Sequence, residues 1–321
     1  MRVAVIGAGA IGGWLTAGCI EGGGSVIVLA RGASHDALQK DGLRLDDGET
    51  EKTYSVEVTK DPAALRGADI LLLGLKAHDL PGAAPLIQAA MGENTVVVPA
   101  INGLPWWFLD NFGGPAKGLQ IEAVDPAGVL SQLMPSDRVV GSVVHAASYV
   151  SAPGRIRLVK ATKVWLGDAG TGQHASAVAD LIAAGGIPAE QTDALHWHVW
   201  NKLWGNSNMN PLSALARADL SQLHEDEFVV RLVATMMQEM SQVGEKIGLQ
   251  GFEKPEDRIA MTRKLGPIRT SMLQDVEAGR PIEIDPILGG LVELARHLEH
   301  PTPAMDAVYG LTRMLDKNLR N

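Results

Sequence analysis

The chain has 321 residues, 46% hydrophobic and 20% charged, with a net charge of −9. That length exceeds what one ordinary hydrophobic core covers and points to two domains of a globular protein. No basic block stands out, which argues against a nucleic-acid partner.

In chain order, "RVAVIG" (2–7) reads as a buried strand, and an Ala/Gly-rich helix follows over 8–20, closed by the glycines at 22–24. The single cysteine, Cys19, lies on this helix as small core filler; it allows no intrachain disulfide and fits a reducing compartment. "SVIVLAR" (25–31), "ADILLLGLK" (68–76) and "NTVVVPAING" (94–103) are further apolar strands. Apolar runs without alternation suit parallel strands covered on both faces. Strand and helix in alternation give a doubly wound α/β domain. "RVVGSVVHAASYV" (138–150) and "RIRLVKATKVWLG" (155–167) read as later strands of the same unit, joined near Pro153-Gly154, and 113–128 reads as an irregular excursion. Beyond about residue 170 the pattern turns helical, over 176–185, 192–210, 225–248, 255–278 and 286–299, with no strand expected. The predicted fold is therefore α/β, an N-terminal Rossmann-type domain over 1–175 and a C-terminal all-helical domain over 176–321. The run "ILLLGL" is too short to cross a bilayer, and no charged-then-apolar leader precedes the first strand, so a cytoplasmic protein without a membrane partner is expected.

The first turn carries G-x-G-x-x-G at Gly7, Gly9 and Gly12, between a strand and the helix it opens. In that context the motif predicts dinucleotide binding by the loop from Gly7 through Ala8, Gly9, Ala10 and Ile11 to Gly12, with the pyrophosphate on the helix N-terminus. The second strand ends in Arg31 where an NAD enzyme carries Asp or Glu. A guanidinium matches a ribose 2′-phosphate, so NADP(H) is the expected cofactor. Lys76 and Asn102 end two further strands, at the edge where such sheets bind ligands.

"WNKLWGNSNMN" (200–210) puts one lysine and four asparagines, poor helix formers, into a helix. At 100° per residue, Lys202, Asn206 and Asn210 form a stripe roughly 80° wide, and Trp197, Trp200 and Trp204 cluster on the far side. The tryptophans predict a core face. The stripe faces either bulk water or a cleft holding a polar substrate. In a partly dry cleft a lysine of lowered pKa serves as a general acid. Pro211 is expected to kink or end the helix. His196 and His198 point apart, and no other residues have metal spacing, so no metal is expected. "RKLGPIR" (263–269) is a short basic cluster, either a solvated face or an aid in drawing in an anionic substrate.

"GAGAIGG", "LKAHD", "ING", "VHAA", "WNKLWGNSNMNPLSAL" and "TSMLQDVEAGRPIEID" together resemble ketopantoate reductases (2-dehydropantoate 2-reductases) over nearly the whole chain. The resemblance implies NADPH-dependent reduction of ketopantoate to (R)-pantoate, a step towards pantothenate and coenzyme A. It implies Lys202 as general acid, Glu283 as the acidic residue that positions it and contacts cofactor, and Asn206, Asn210 and Ser271 as substrate binders. Lys76, Asn102 and Ala147 become cofactor contacts, with Asn102 near the reacting carbonyl. A homodimer is a further expectation. Two departures stand out. Trp106 and Trp107 follow the Asn-Gly directly, either reshaping the pocket for another 2-oxo acid or serving core or dimer contacts; and Asp219 and Leu220 stand in a stretch where the family often carries another substrate-contacting Asn. The competing readings are therefore a reductase of a different 2-oxo acid and a nonenzymatic NADP-sensing regulator.

Overall fold

A computed structural model describes residues 1–320. The elements in order are β1 (Arg2–Ile6), α1 (Ala10–Glu21), β2 (Ser25–Leu29), α2 (Gly32–Asp41), β3 (Leu43–Asp46), β4 (Glu51–Tyr54), β5 (Glu57–Thr59), β6 (Ile70–Leu73), α3 (Leu80–Ala90), β7 (Val96–Pro99), α4 (Val129–Leu133), β8 (Val140–Ala152) and β9 (Arg155–Asp168). They continue with α5 (Ala175–Ala184), β10 (Ala189–Gln191), α6 (Leu195–Ala216), α7 (Leu220–Glu225), α8 (Glu227–Lys246), α9 (Pro255–Arg263), α10 (Ser271–Glu277), α11 (Gly290–His297) and α12 (Pro303–Arg320).

The chain forms two compact units. One comprises Met1–Ile101 and Val129–His198, the other Asn102–Gly128 and Val199–Asn321. The division is thus not a single cut near residue 175: residues 102–128, which include the excursion at 113–128, group with the helical part, and 176–198 with the strands.

In the first unit a parallel sheet runs β5-β2-β1-β6-β7. Its strands are the uninterrupted apolar runs, with Val3, Val5, Val28, Leu71, Leu73 and Val97 essentially without solvent contact. The strand order reverses between β1 and β6, which makes their carboxyl ends the natural ligand crevice of a doubly wound fold. A second sheet runs β10-β9-β3-β4, with β8 antiparallel to β9. The two late strands anticipated from sequence therefore pair with each other but lie outside the parallel sheet. Cys19 is buried, and burial pushes its thiol up to about 12, so it is inert filler.

The second unit is helical. Its core holds Trp200, Trp204, Trp107 and Phe108, each at most 1% exposed, and the Phe108 and Trp200 rings stack at 5.9 Å. Trp204 Nε1 donates to the Met237 carbonyl of α8 at 2.8 Å, and Met236, Met237 and Met240 fill the same core. The Trp face of α6 is thus the core face for Trp200 and Trp204, while Trp197 is only half-buried and belongs to the first unit.

Three sequence expectations need correction. α6 does not end at Pro211 but continues to Ala216, with Pro211 buried inside it. Proline forbids the N–H donation at one position, and the tertiary packing of residues 207–214 holds the remaining turns. The helix anticipated over 255–278 is two helices, α9 and α10, interrupted where Gly266, at φ +78°, precedes Pro267. β10, three residues long, is a strand beyond residue 170 where none was anticipated.

Candidate functional site

Two groups of side chains carry chemistry, one in each unit. In the first unit the turn after β1 is built by close approach of backbone. Gly7 sits at φ +91°, and a Cβ there would lie 2.8 Å from the Gly74 carbonyl carbon. A Cβ on Gly12 would lie 2.1 Å from the Gly7 carbonyl oxygen, and one on Gly74 would lie 2.2 Å from the same atom. These three glycines lock α1 onto the ends of β1 and β6. Gly9 differs: a Cβ there would meet nothing within 4 Å. It is the N-cap of α1 and makes no side-chain cap, and the first turn holds no acidic residue. The result is an open cradle of backbone N–H groups at a helix N-terminus, which fits a pyrophosphate. Ala8, Ala10 and Ile11 are half-buried around it, as a ligand-lining loop requires. Gly74 is a cradle residue that the sequence reading missed; its signal was a glycine at the end of an otherwise aliphatic strand.

Arg31 ends the stretch after β2 as the N-cap of α2, exposed, with no ion pair to a carboxylate among the described residues. Lys76 is half-buried at the turn that follows β6. Ala147 is exposed on β8, beside a register irregularity in the β8–β9 ladder.

In the second unit Lys202, Asn102 and Glu283 come together. The Lys202 amine donates to Asn102 Oδ1 at 2.6 Å, across 100 residues of sequence. A charged lysine only donates, so the Asn102 amide must turn its oxygen towards it, leaving its NH₂ as a donor for another group. Lys202 as a residue is half-buried, yet its amine is withdrawn from water. Desolvation lowers its pKa from 10.5 to about 8, and the negative charge of Glu283 opposes that fall. Glu283 is itself only 8% exposed, with Ile282 and Ile284 at 1% on either side.

What brings Asn102 and Glu283 to α6 is a backbone staple. The Leu104 N–H donates to the Pro286 carbonyl at 2.7 Å. Gly103, at φ +94°, lies so close to Pro286 that a Cβ would sit 2.4 Å from that same oxygen. Only glycine meets both demands, the left-handed conformation and the close approach. Pro286 belongs to a single π-helical turn, Asp285–Gly289, which leads into α11. Such turns are rare and concentrate at functional sites.

Asn206 is half-buried and Asn210 is 7% exposed, both on the Lys202 face of α6. Of the other two asparagines, Asn208 serves the structure: its Nδ2 donates to the Trp204 carbonyl at 2.7 Å, while the Asn201 backbone carbonyl accepts from Arg258 at 3.2 Å. Ser271 is exposed as the first residue of α10, whose N-cap is Thr270. Of the departures, Trp106 is 8% and Trp107 1% exposed, which makes both part of the helical core. Asp219 caps α7, its side chain accepting from Gln222 N in a capping box. No group of three or more His, Cys, Asp or Glu able to hold a metal exists among the described residues, and no helix there is long and apolar enough to cross a membrane.

Residues 3–171 match the family Ketopantoate reductase PanE/ApbA, and residues 194–316 match Ketopantoate reductase PanE/ApbA C terminal. The 2-dehydropantoate 2-reductase of Mesorhizobium japonicum is 40% identical over 98% of each chain. A crystal structure from Ralstonia solanacearum, whose protein carries the same family name, is 38% identical and superposes with a TM-score of 0.93 over 99% of this chain and 98% of that one. The structure of 2-dehydropantoate 2-reductase from Methylococcus capsulatus, 25% identical, gives 0.86 over 100% of this chain and 98% of that one. Two family matches that together span most of the chain, and full-length likeness to a curated relative, lead to one conclusion: the chain belongs to the ketopantoate reductase family of oxidoreductases.

Proposed function

We propose that the protein reduces 2-dehydropantoate to (R)-pantoate with NADPH, and that Lys202 is the general acid. The carrying observation is the enclosed Lys202 amine at 2.6 Å from Asn102, with a pKa near 8. A general acid works best with a pKa close to the working pH, and burial is how a lysine reaches that range. NADPH, when bound, supplies the hydride. Lys202 donates a proton to the substrate oxygen that becomes the hydroxyl, and regains it from solvent before the next turnover. Asn102 holds the amine in one orientation and keeps an NH₂ for the reacting carbonyl. Glu283 keeps the ammonium form populated against the desolvation that disfavours it. Asn206, Asn210 and Ser271 offer neutral donors and acceptors for the carboxylate and hydroxyl of the substrate.

The residues present fit the cofactor. The Gly7–Gly12 loop, with Ala8, Gly9, Ala10 and Ile11, would hold the pyrophosphate, and Arg31 the 2′-phosphate. Lys76, Asn102, Ala147 and Glu283 are the remaining cofactor contacts in this reading. The preference for NADPH over NADH rests on Arg31, exposed and without a carboxylate partner.

A second reading, reduction of another 2-oxo acid, draws its support from Asp219. Its side chain is spent on the α7 cap, so the contact that an Asn there provides in relatives is replaced or absent. The tryptophan pair, buried in the core, gives that reading no support. A sensor without catalysis has no use for an enclosed amine beside a buried carboxylate. The test is NADPH oxidation at 340 nm with ketopantoate and a panel of 2-oxo acids, for wild type and Lys202→Ala. Rapid ketopantoate turnover that collapses in the variant supports the reading. Turnover confined to another panel member moves it to that substrate, and NADPH binding with silence across the panel overturns the enzymatic assignment.

A further inference from the structure

Glu283 ends a short stretch, 280–283, without regular structure, just before the π turn Asp285–Gly289. The C-terminal helix α12 grips that stretch on both sides of the carboxylate. Before it, the Ile282 N–H donates to Asp316 Oδ1 at 2.8 Å, with Asp316 only 7% exposed. After it, the Tyr309 hydroxyl donates to Asp285 Oδ1 at 2.7 Å. The Tyr309 ring reaches Asp285 because Gly289 has no side chain: a Cβ there would lie 2.7 Å from the Tyr309 oxygen. Asp316 is held in turn by Arg320, whose Nε donates to its other oxygen at 2.6 Å. Tyr309 carries the Arg313 guanidinium over its ring at 5.3 Å. The N-terminus of α12 is pinned as well, since Glu239 of α8 accepts the Ala304 and Met305 N–H groups at 2.9 Å each. Thus α12 is fixed to the core at one end and clasps the Glu283 stretch along its length.

We propose that Tyr309 and Asp316 are positioning residues, which act through Glu283 to set the protonation of the Lys202 amine; this rests on the functional reading above. A carboxylate raises a neighbouring amine's affinity for its proton only while it stays close, because the interaction falls with distance and rises as water is excluded. A buried glutamate on an unclasped stretch moves towards water, where its own solvation is better. The clasp resists that movement. The charged groups facing it are Asp285, Arg313 and Glu293 around Tyr309, Arg320 beside Asp316, and Lys202 beside Glu283. Burial and the Asp285 hydrogen bond push the Tyr309 hydroxyl up, so it remains a donor across the working pH range.

The test compares wild type with Tyr309→Phe, Asp316→Ala and Asp316→Asn, each alone and in a Glu283→Gln background. Tyr309→Phe keeps the ring on Gly289 and removes only the donor. Asp316→Asn keeps an acceptor for the Ile282 N–H, and Asp316→Ala does not. The readout is the Lys202 titration, taken from the pH dependence of acetylation by trace acetic anhydride with peptide mass spectrometry, alongside the pH profile of kcat. Tyr309→Phe and Asp316→Ala are expected to lower the Lys202 titration by about 0.5 pH unit or more, as loss of a nearby carboxylate does. Asp316→Asn restores it, and neither variant shifts it further once Glu283 is glutamine. An unchanged titration in folded variants, or an equal shift in the Glu283→Gln background, overturns the proposal. Should Tyr309→Phe fail to fold, the Asp316→Ala and Asp316→Asn pair decides. The acetylation readout needs no turnover, so a protein that reduces no 2-oxo acid but shows the shift refutes the functional reading and leaves the clasp standing.

Discussion

Lys202 gives the sharpest prediction. Its pKa falls from 10.5 to about 8. At ~1.4 kcal/mol per pH unit, the enclosure disfavours the ammonium by roughly 3 kcal/mol net of what Glu283 returns. With a pKa near 8, roughly nine-tenths of the enzyme carries the acid form at pH 7 and roughly one-tenth at pH 9. If Lys202 donates the proton, kcat for carbonyl reduction falls about tenfold between those pH values, with a single-proton slope. The sign reverses for oxidation of the alcohol, which needs the free amine and rises over the same window. Glu283→Gln removes the charge that favours the ammonium, so the break in the reduction profile moves below 8. The assay is steady-state NADPH oxidation from pH 6 to 10 at saturating cofactor and substrate, with pre-steady-state bursts to show that chemistry limits the rate. A profile flat to pH 10, or a break that moves upward in Glu283→Gln, refutes the assignment of Lys202 as acid and of burial as the cause of its pKa.

Other outcomes follow from the same geometry. Gly103→Ala forces a Cβ into φ +94° and to 2.4 Å from the Pro286 oxygen; it should cost about 1–3 kcal/mol in urea unfolding and displace Asn102, lowering kcat for carbonyl reduction. Arg31→Ala should weaken NADPH binding, read by cofactor fluorescence, about 10- to 100-fold and leave NADH binding nearly unchanged, since a charge-assisted bond is worth about 1.5–3 kcal/mol. Trp107→Ala empties a 1% exposed site in the helical core and should cost about 3–5 kcal/mol by denaturant melts, marking the tryptophan as structural. Lys202 binds its proton less tightly folded than unfolded, so between pH 8 and 10.5 the unfolded chain holds a proton that the folded one has lost. Stability from this residue therefore rises with pH across that window, by up to about 3 kcal/mol, and the rise should vanish in Lys202→Met.

How much could be read from sequence depends on the range of the cause. The glycine turn, the apolar parallel strands and the Trp and Lys/Asn faces of α6 are local patterns, and their residues carry the signal themselves. β3, β4, β5 and β10 are three or four residues long and largely polar, and only pairing with other strands holds them, β4 against its neighbour β3 and the others against strands more distant in the chain, so no period marks them. α12 shows the opposite case: Met305, Val308, Thr312 and Asp316 repeat at helical spacing and are all buried, a legible signal that was passed over. The meeting of Asn102 with Lys202 spans 100 residues and depends on the Gly103–Pro286 contact, which leaves no trace in either segment alone. Ser271 remained a motif inference, because an exposed serine at the start of a helix has no physical signature beyond its place in the chain.

The second unit is assembled from two stretches, 102–128 and 199–321. During synthesis the first of these leaves the ribosome well before the second exists. At about 5–20 residues per second, Trp107 and Phe108 wait roughly 5–20 s for Trp200, against which the Phe108 ring stacks. Meanwhile the strands of the first unit close around their own core. The nascent chain thus carries an uncovered aromatic cluster while the rest of the α/β unit is still being made, an interval in which exposed apolar surface favours aggregation.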